Sequence, residues 1–265
     1  MNKNKSVNII IPLYSNILNG NQKLSLDRCF SVLSAYQITA VVPEDLDIVP
    51  IAQSYPLLKL EKFKSDFFKG REGYNKLMMS ATFYQRFVDW DYILIYQSDA
   101  YVFFDNLQSW ANRGYDYVGA PWLEKPIYKS LLYRVVRYID YKLHFYVDGY
   151  SERHLVKGKV GNGGLSLRKV SSFLSFIESN RERVELYCQR CNFHRYHEDV
   201  FWALEPKDIF VYPNETEALG FSFDKYPSLC YRLNNDTLPF GCHAFYHKRN
   251  IAFWRRFIPK INLQS

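Results

Sequence analysis

The 265-residue sequence has no uninterrupted apolar run of the roughly 18 or more residues that a membrane-crossing helix needs. Its opening, MNKNKSVNIIIPLYS, is basic, but its apolar part is too brief to resemble a secretory signal, so the expected location is the cytoplasm. Cysteine is scarce and odd in number, with Cys29, Cys188, Cys191, Cys230 and Cys242 in a chain too large to need staples. That usage agrees with a reducing compartment and predicts no structural disulfides. No GxGxxG follows the first apolar segment, which argues against a dinucleotide-dependent oxidoreductase. No zinc-finger, helix-turn-helix or RNP-like pattern occurs, which argues against nucleic acid as a partner. CQRCNFHRYH does supply Cys188, Cys191, His194 and His197 at three-residue steps. Ligands spaced three apart on one helix spiral round its axis, so a closed zinc tetrahedron is not expected there.

What is present is a chain of 48% hydrophobic residues, enough to bury a full core in one domain. A net charge of +7 fits either a solvated basic surface or a surface that binds anions. Aromatic residues make up 18% of the chain, with 22 Tyr and 20 Phe, suited to core packing and equally to stacking on sugars or bases.

Strand and helix patterns alternate. VNIIIPLY (7–14) is β-branched, ends near Pro12 and precedes the polar turn SNILNGNQ, so it predicts a buried first strand. SLDRCFSVLSAY (25–36) predicts a helix capped by Ser25, with Leu26, Cys29, Phe30 and Leu33 on one face. ITAVVPED and LLKLEKF predict two further strands. GYNKLMMSATFYQRF (73–87) predicts one amphipathic helix presenting Tyr74, Leu77, Met78, Ala81, Tyr84 and Phe87, leading into the apolar strand YILIY and then Gln97, Ser98 and Asp99. Such alternation implies crossover connections and a mostly parallel sheet covered on both faces, with ligands beyond the carboxyl ends of its strands.

Asp99 falls at such a strand end. A carboxylate there can hold a divalent cation against a diphosphate, or simply accept backbone N–H groups in a turn. VGNGGLSLRK (160–169) places three glycines around Asn162, either for close backbone approach to a ligand or as a plain turn. HEDVFW (197–202) sets Glu198 and Asp199 at a helix start, where acids complement the helix dipole or serve as a general base. LPFGCHAFYH (238–247) puts His243 in a loop of small and aromatic residues, as a structural group or a ligand.

Taken in order, YILIYQSDAYVF, GYDYVGAPW, GNGGLSLRK, HEDVFW and LPFGCHAFYH resemble a bacterial family of GT-A-fold glycosyltransferases, long catalogued as a domain of unknown function and found in polysaccharide gene clusters. The resemblance implies an α/β, GT-A-like single domain with a Rossmann-like, mostly parallel central sheet flanked by helices. Residues 1–105 would form the nucleotide-sugar-binding half and 106–265 the acceptor-binding half. It implies donor contacts from Pro12, Tyr14 and Ser15 beside the base, from Asn162, Gly163 and Gly164 beside the sugar, and from Asn75, Gln97 and Ser98. In that fold an acid, any residue, acid triplet binds the metal on the diphosphate; here Gln97 replaces the first acid, and the implied reduced site is Asp99 with His243, for Mn2+ or Mg2+. Asp199, with Glu198, resembles the acidic pair facing the acceptor, which implies Asp199 as the base of an inverting transfer, whereas the His243 loop resembles that of retaining enzymes, so retention stays open if no base is correctly placed. A non-catalytic sugar- or nucleotide-binding protein of the same fold is the alternative that Gln97 keeps open.

IYKSLLYRVVRYIDYKLHFYV (127–147) repeats apolar residues at helical spacing among Lys and Arg, and predicts a basic amphipathic helix. It either packs ordinarily or meets the inner face of the cytoplasmic membrane, where HKRNIAFWRRFIPK (247–260) would add a second basic aromatic stretch.

Overall fold

A computed structural model describes residues 4–123 and 153–262, together with Leu131, Val135, Tyr138 and Ile139. β1 (Val7–Pro12) is buried along its whole length, as its β-branched composition predicts. It leads to helix α1 (Gly20–Val32), which starts earlier than the sequence pattern suggests. Its cap is Asn19, whose side chain accepts from the backbone N–H groups of Asn21 and Gln22 while Gln22 reaches back to the Asn19 N–H. This reciprocal capping box outcompetes a start at Ser25. Ser25 lies inside the helix, buried, and its hydroxyl donates to the Ala100 carbonyl at 2.6 Å.

β2 (Gln37–Pro43) and β3 (Lys59–Phe63) follow as predicted. The single helix expected over 73–87 is instead two, α2 (Gly70–Met78) and α3 (Ala81–Gln85). Ser80 breaks it by taking an extended backbone and capping α3 through the Phe83 N–H. β4 (Tyr92–Tyr96), the short β5 (Tyr101–Val102), β6 (Tyr117–Val118) and β7 (Ala120–Pro121) come next. After them lie β8 (Val160–Gly161), β9 (Leu165–Lys169), helices α4 (Val170–Ser179), α5 (Arg181–Arg190) and α6 (Glu198–Leu204), β10 (Ser222–Phe223) and β11 (Gly241–Cys242). The predicted helix at 127–147 lies largely outside the described residues; Leu131, Val135, Tyr138 and Ile139 are helical and exposed.

The main sheet has the order β3-β2-β1-β4-β9-β6. β3, β2, β1 and β4 are mutually parallel, and β9 runs antiparallel between β4 and β6. Side chains of a strand alternate between faces, and each face is covered. Ile9, Ile11, Leu94 and Tyr96 meet Leu26 and Cys29 of α1 and Leu33 at its C-cap on one side. Ile10, Ile93 and Ile95 meet an aromatic layer of Phe83, Tyr84, Phe173 and Trp202 on the other. Phe173 lies 4.2 Å from Trp202 between ring centroids, so much of the aromatic content builds core. A second sheet, β10-β11-β5, and the pair β7-β8 stand beside the main sheet. No helix of the described residues is long and apolar enough to cross a membrane, and all five cysteines are free thiols.

Candidate active site

β1 and β4 end at the same edge of the sheet, and β9, running the other way, begins there because Leu165 pairs with Tyr96. The residues after β4 therefore adjoin those before β9: the Gln97 N–H donates to the Gly164 carbonyl at 2.9 Å. A turn closed by Ala100 N–H to the Gln97 carbonyl at 2.8 Å then presents Ser98 and Asp99. Ser98 accepts from the Gln22 side chain of α1 at 3.2 Å.

The small sheet delivers the remaining groups. Phe223 pairs with Cys242 in parallel and Cys242 with Tyr101 in antiparallel register. The next residues out, Asp224 and His243, thus lie side by side and beside the Asp99 turn. His243 Nε2 is 3.1 Å from Asp99 Oδ1 and 3.3 Å from Gln97 Oε1, and Nδ1 is 3.2 Å from Asp224 Oδ1. Asp224 was not among the residues singled out from sequence. The only local trace was an acid directly after the three-residue stretch FSF, too short to register as a strand pattern.

The electrostatics follow from these distances. Burial alone would lower the His243 pKa, but Asp99 and Asp224 raise it to about 10, so in the protein alone the ring is an imidazolium that donates to both carboxylates. Burial pulls Asp99 and Asp224 upward, yet His243 holds both below the usual carboxylate range. Asn162 Nδ2 lies 3.2 Å from Nδ1. With a proton on Nδ1, the Asn162 amide donates to Asp224 instead. Its Oδ1 accepts from the Gly164 N–H at 2.7 Å, and its backbone is left-handed at φ 83°, a conformation Asn tolerates better than most residues. Gly164 is required by contact: a Cβ there would come within 2.1 Å of the His243 ring.

His243 Nε2 thus faces two oxygen donors, Asp99 Oδ1 and Gln97 Oε1. Its separations from them, 3.1 and 3.3 Å, are close to the ~3 Å between neighbouring ligands of an octahedral ion with bonds of ~2.1 Å. They fit a divalent cation once Nε2 gives up its proton. Among the described residues no group of three or more His, Cys, Asp or Glu is placed to hold a metal, so a third protein donor beside Asp99 and His243 would be the Gln97 amide.

The acidic pair divides. Glu198 is buried against Arg168, at 3.2 and 3.0 Å from its two oxygens to Nη2, with side chains 2% and 0% exposed. Burial pushes its carboxyl up to about 7 against the pull of Arg168, and Gly163 packs so closely that a Cβ would sit 1.8 Å from Oε1. With its oxygens on Arg168, Glu198 is not available to an acceptor. Asp199 is half-buried in the first turn of α6, with Oδ1 accepting the Val200 N–H at 2.9 Å. Asn75 is likewise committed, its Oδ1 accepting the Glu198 N–H at 3.1 Å and its Nδ2 donating to the Cys191 carbonyl at 3.3 Å. It holds α6 to α2 rather than facing a donor. Pro12 closes β1 inside the core, whereas Ser15 is exposed and Tyr14 is 46% exposed, edge-on to Phe68 at 5.8 Å. Burial raises the Tyr14 pKa, and the Asp99 and Glu198 carboxylates add to the rise. Tyr74 donates to the Gly163 carbonyl at 3.0 Å and hydrogen-bonds Gln97, tying the two walls together.

A family described as "Protein of unknown function (DUF5672)" matches residues 57–243, well over half of the chain and ending on His243. The chain belongs to this DUF5672 family. No curated protein matches it. Among solved structures, this DUF5672 member is similar to the galactosyltransferase LgtC in complex with donor and acceptor sugar analogs, at TM-score 0.51 and 15% identity over 93% of this chain and 91% of LgtC. It is also similar to mouse xyloside xylosyltransferase 1, at TM-score 0.51 and 12% identity over 90% and 96% of the two chains. GlyE of Streptococcus pneumoniae gives TM-score 0.50 and 13% identity over 92% of this chain and 55% of GlyE. At such identities the likeness is one of fold, and the fold is the GT-A glycosyltransferase fold in a single domain.

Proposed function

We propose that this DUF5672 protein is a bacterial glycosyltransferase that moves a sugar from a nucleoside-diphosphate sugar to a hydroxyl of a glycan or lipid-linked oligosaccharide, in capsule, O-antigen or other surface polysaccharide synthesis. The observation that carries this reading is the meeting of Gln97, Asp99, Asn162 and His243 at the carboxyl edge of a GT-A sheet. LgtC, which shares the fold, binds donor and acceptor sugar analogs, and this supports the same ligand classes here.

In this reading residues 1–105 bind the donor nucleotide, with Tyr14 and Ser15 beside the base and Ser98 beside the ribose or phosphates. Asn162, Gly163 and Gly164 border the donor sugar, and 106–265 form the acceptor side. A divalent cation, Mn2+ or Mg2+, held by Asp99, His243 and Gln97, would neutralise charge on the departing diphosphate. Asp199 takes the proton of the acceptor hydroxyl as its oxygen bonds to the anomeric carbon. The bond to the diphosphate oxygen breaks with its electron pair, so the anomeric centre inverts in one step. Glu198 and Asn75 support the walls. Exposed Leu131, Val135, Tyr138 and Ile139, with exposed Arg255, Arg256 and Lys260, support peripheral contact with the inner leaflet. Absence of flotation with anionic liposomes at low salt would end that last part.

Slow hydrolysis of a sugar-nucleotide panel in Mn2+ tests the activity. Wild type should turn over at least one donor, and Asp199→Ala should lower kcat by roughly 100-fold or more, the usual worth of a general base. If wild type, Asp99→Ala and Asp199→Ala are equally inert across the panel, transfer is not its function. The non-catalytic alternative, which Gln97 favours, would then show as donors that raise the melting temperature without turnover.

A further inference from the structure

The Asp224 carboxylate has a position that the proposed chemistry does not use. The parallel register of β10 and β11 sets it beside His243, on the Nδ1 side of the ring, while Asp99 and Gln97 face Nε2. Its side chain is 13% exposed, less than that of Asp99 at 30%. Its surroundings are fixed from two directions. Asn162 hydrogen-bonds the carboxylate, and the Asn250 amide donates to the Asp224 carbonyl at 2.9 Å and to the Ala244 carbonyl at 3.3 Å, clamping the two loop ends that carry Asp224 and His243. Gly164 leaves no room for the ring to swing towards β9, since even a Cβ there would lie 2.1 Å from it.

We propose that Asp224 is the positioning residue of a cation site formed by Asp99, His243 and Gln97. It holds the His243 proton on Nδ1 and turns the Nε2 lone pair towards the point shared by Asp99 Oδ1 and Gln97 Oε1. An imidazole that binds a metal through one nitrogen commonly donates its other N–H to a carboxylate, which fixes tautomer and orientation and makes the ligand more basic. In this chain the device offsets the loss of an acid at position 97, because a neutral amide is a weaker ligand for a hard cation. With an ion bound, Nε2 would carry no proton and the Nδ1 proton would stay directed at Asp224. The inference rests on the proposed transferase reading only for its purpose.

The test is calorimetric titration of Mn2+, without nucleotide, into the full chain as wild type, Asp224→Asn, Asp224→Ala and His243→Ala. Wild type should bind, Asp224→Asn and Asp224→Ala should bind about 10- to 100-fold more weakly, with Ala the weaker, and His243→Ala weaker still. Nitrogen NMR of 15N-histidine-labelled wild type loaded with diamagnetic Mg2+ should find the His243 proton on Nδ1, a signature that a merely structural carboxylate would not set. The proposal is overturned if wild type binds no Mn2+, if both Asp224 variants bind as tightly as wild type, or if the Mg2+-loaded ring carries its proton on Nε2. The NMR arm uses wild type alone and so decides even if neither variant folds. Because no turnover is needed, a protein that binds Mn2+ in this way but transfers no sugar would sink the proposed activity and leave the role of Asp224 standing.

Discussion

Arg168 and Glu198 form an ion pair removed from water, and Arg168 is further held by the Tyr84 hydroxyl at 3.0 Å and Ser166 Oγ at 3.0 Å. Breaking one half of such a pair leaves an uncompensated charge in the core. Glu198→Ala should therefore cost about 3–5 kcal/mol in urea unfolding, and the double variant with Arg168→Met should cost less than the single one. His197 gives a separate pH signature. Burial lowers its pKa to about 4, with Asp199 opposing and His194 and Arg71 assisting. The unfolded chain takes up this proton near 6.5, so between there and about 4 the unfolded state binds more protons and stability falls with acidification. Urea midpoints at pH 7.5 and 5 should differ more for wild type than for His197→Gln. Gly164→Ala should push the His243 ring aside and remove any Mn2+-dependent rise in melting temperature, which thermal unfolding with and without EDTA would detect.

At the scale of elements, the capping box that starts α1 predicts that Asn19→Ala costs about 1 kcal/mol, read as a lower urea midpoint. The long strands and the helix at HEDVFW were legible because their patterns extend over several residues: all six residues of β1 and all five of β4 are buried, and α6 begins at Glu198. The break between α2 and α3 was not, because a continuous apolar stripe hides a single capping serine at position 80. Nor were β10 and β11, two residues each, too short for any periodicity to register. Their pairing places Asp224, so the residue most tied to His243 was the one the pattern could not reveal.

Over the described residues, the sheet separates two cores, and the candidate site lies at its carboxyl edge. Both halves meet at that edge, since Gln97 and Asp99 come from the first and Asn162, Asp224 and His243 from the second. Composition and alternation alone determined an α/β chain with a mostly parallel sheet and an acid at a strand tip, because burial of a strand or a helix face writes a short-range period into the sequence. Only the tertiary structure decided which polar residues are spent inside and which remain for chemistry. Glu198 and Asn75 are claimed by partners 30 and 123 positions away, and His243 gains Asp99 and Asp224 only when the small sheet forms. A charge's role depends on its desolvation and its partners, and both are set by contacts that no local pattern contains.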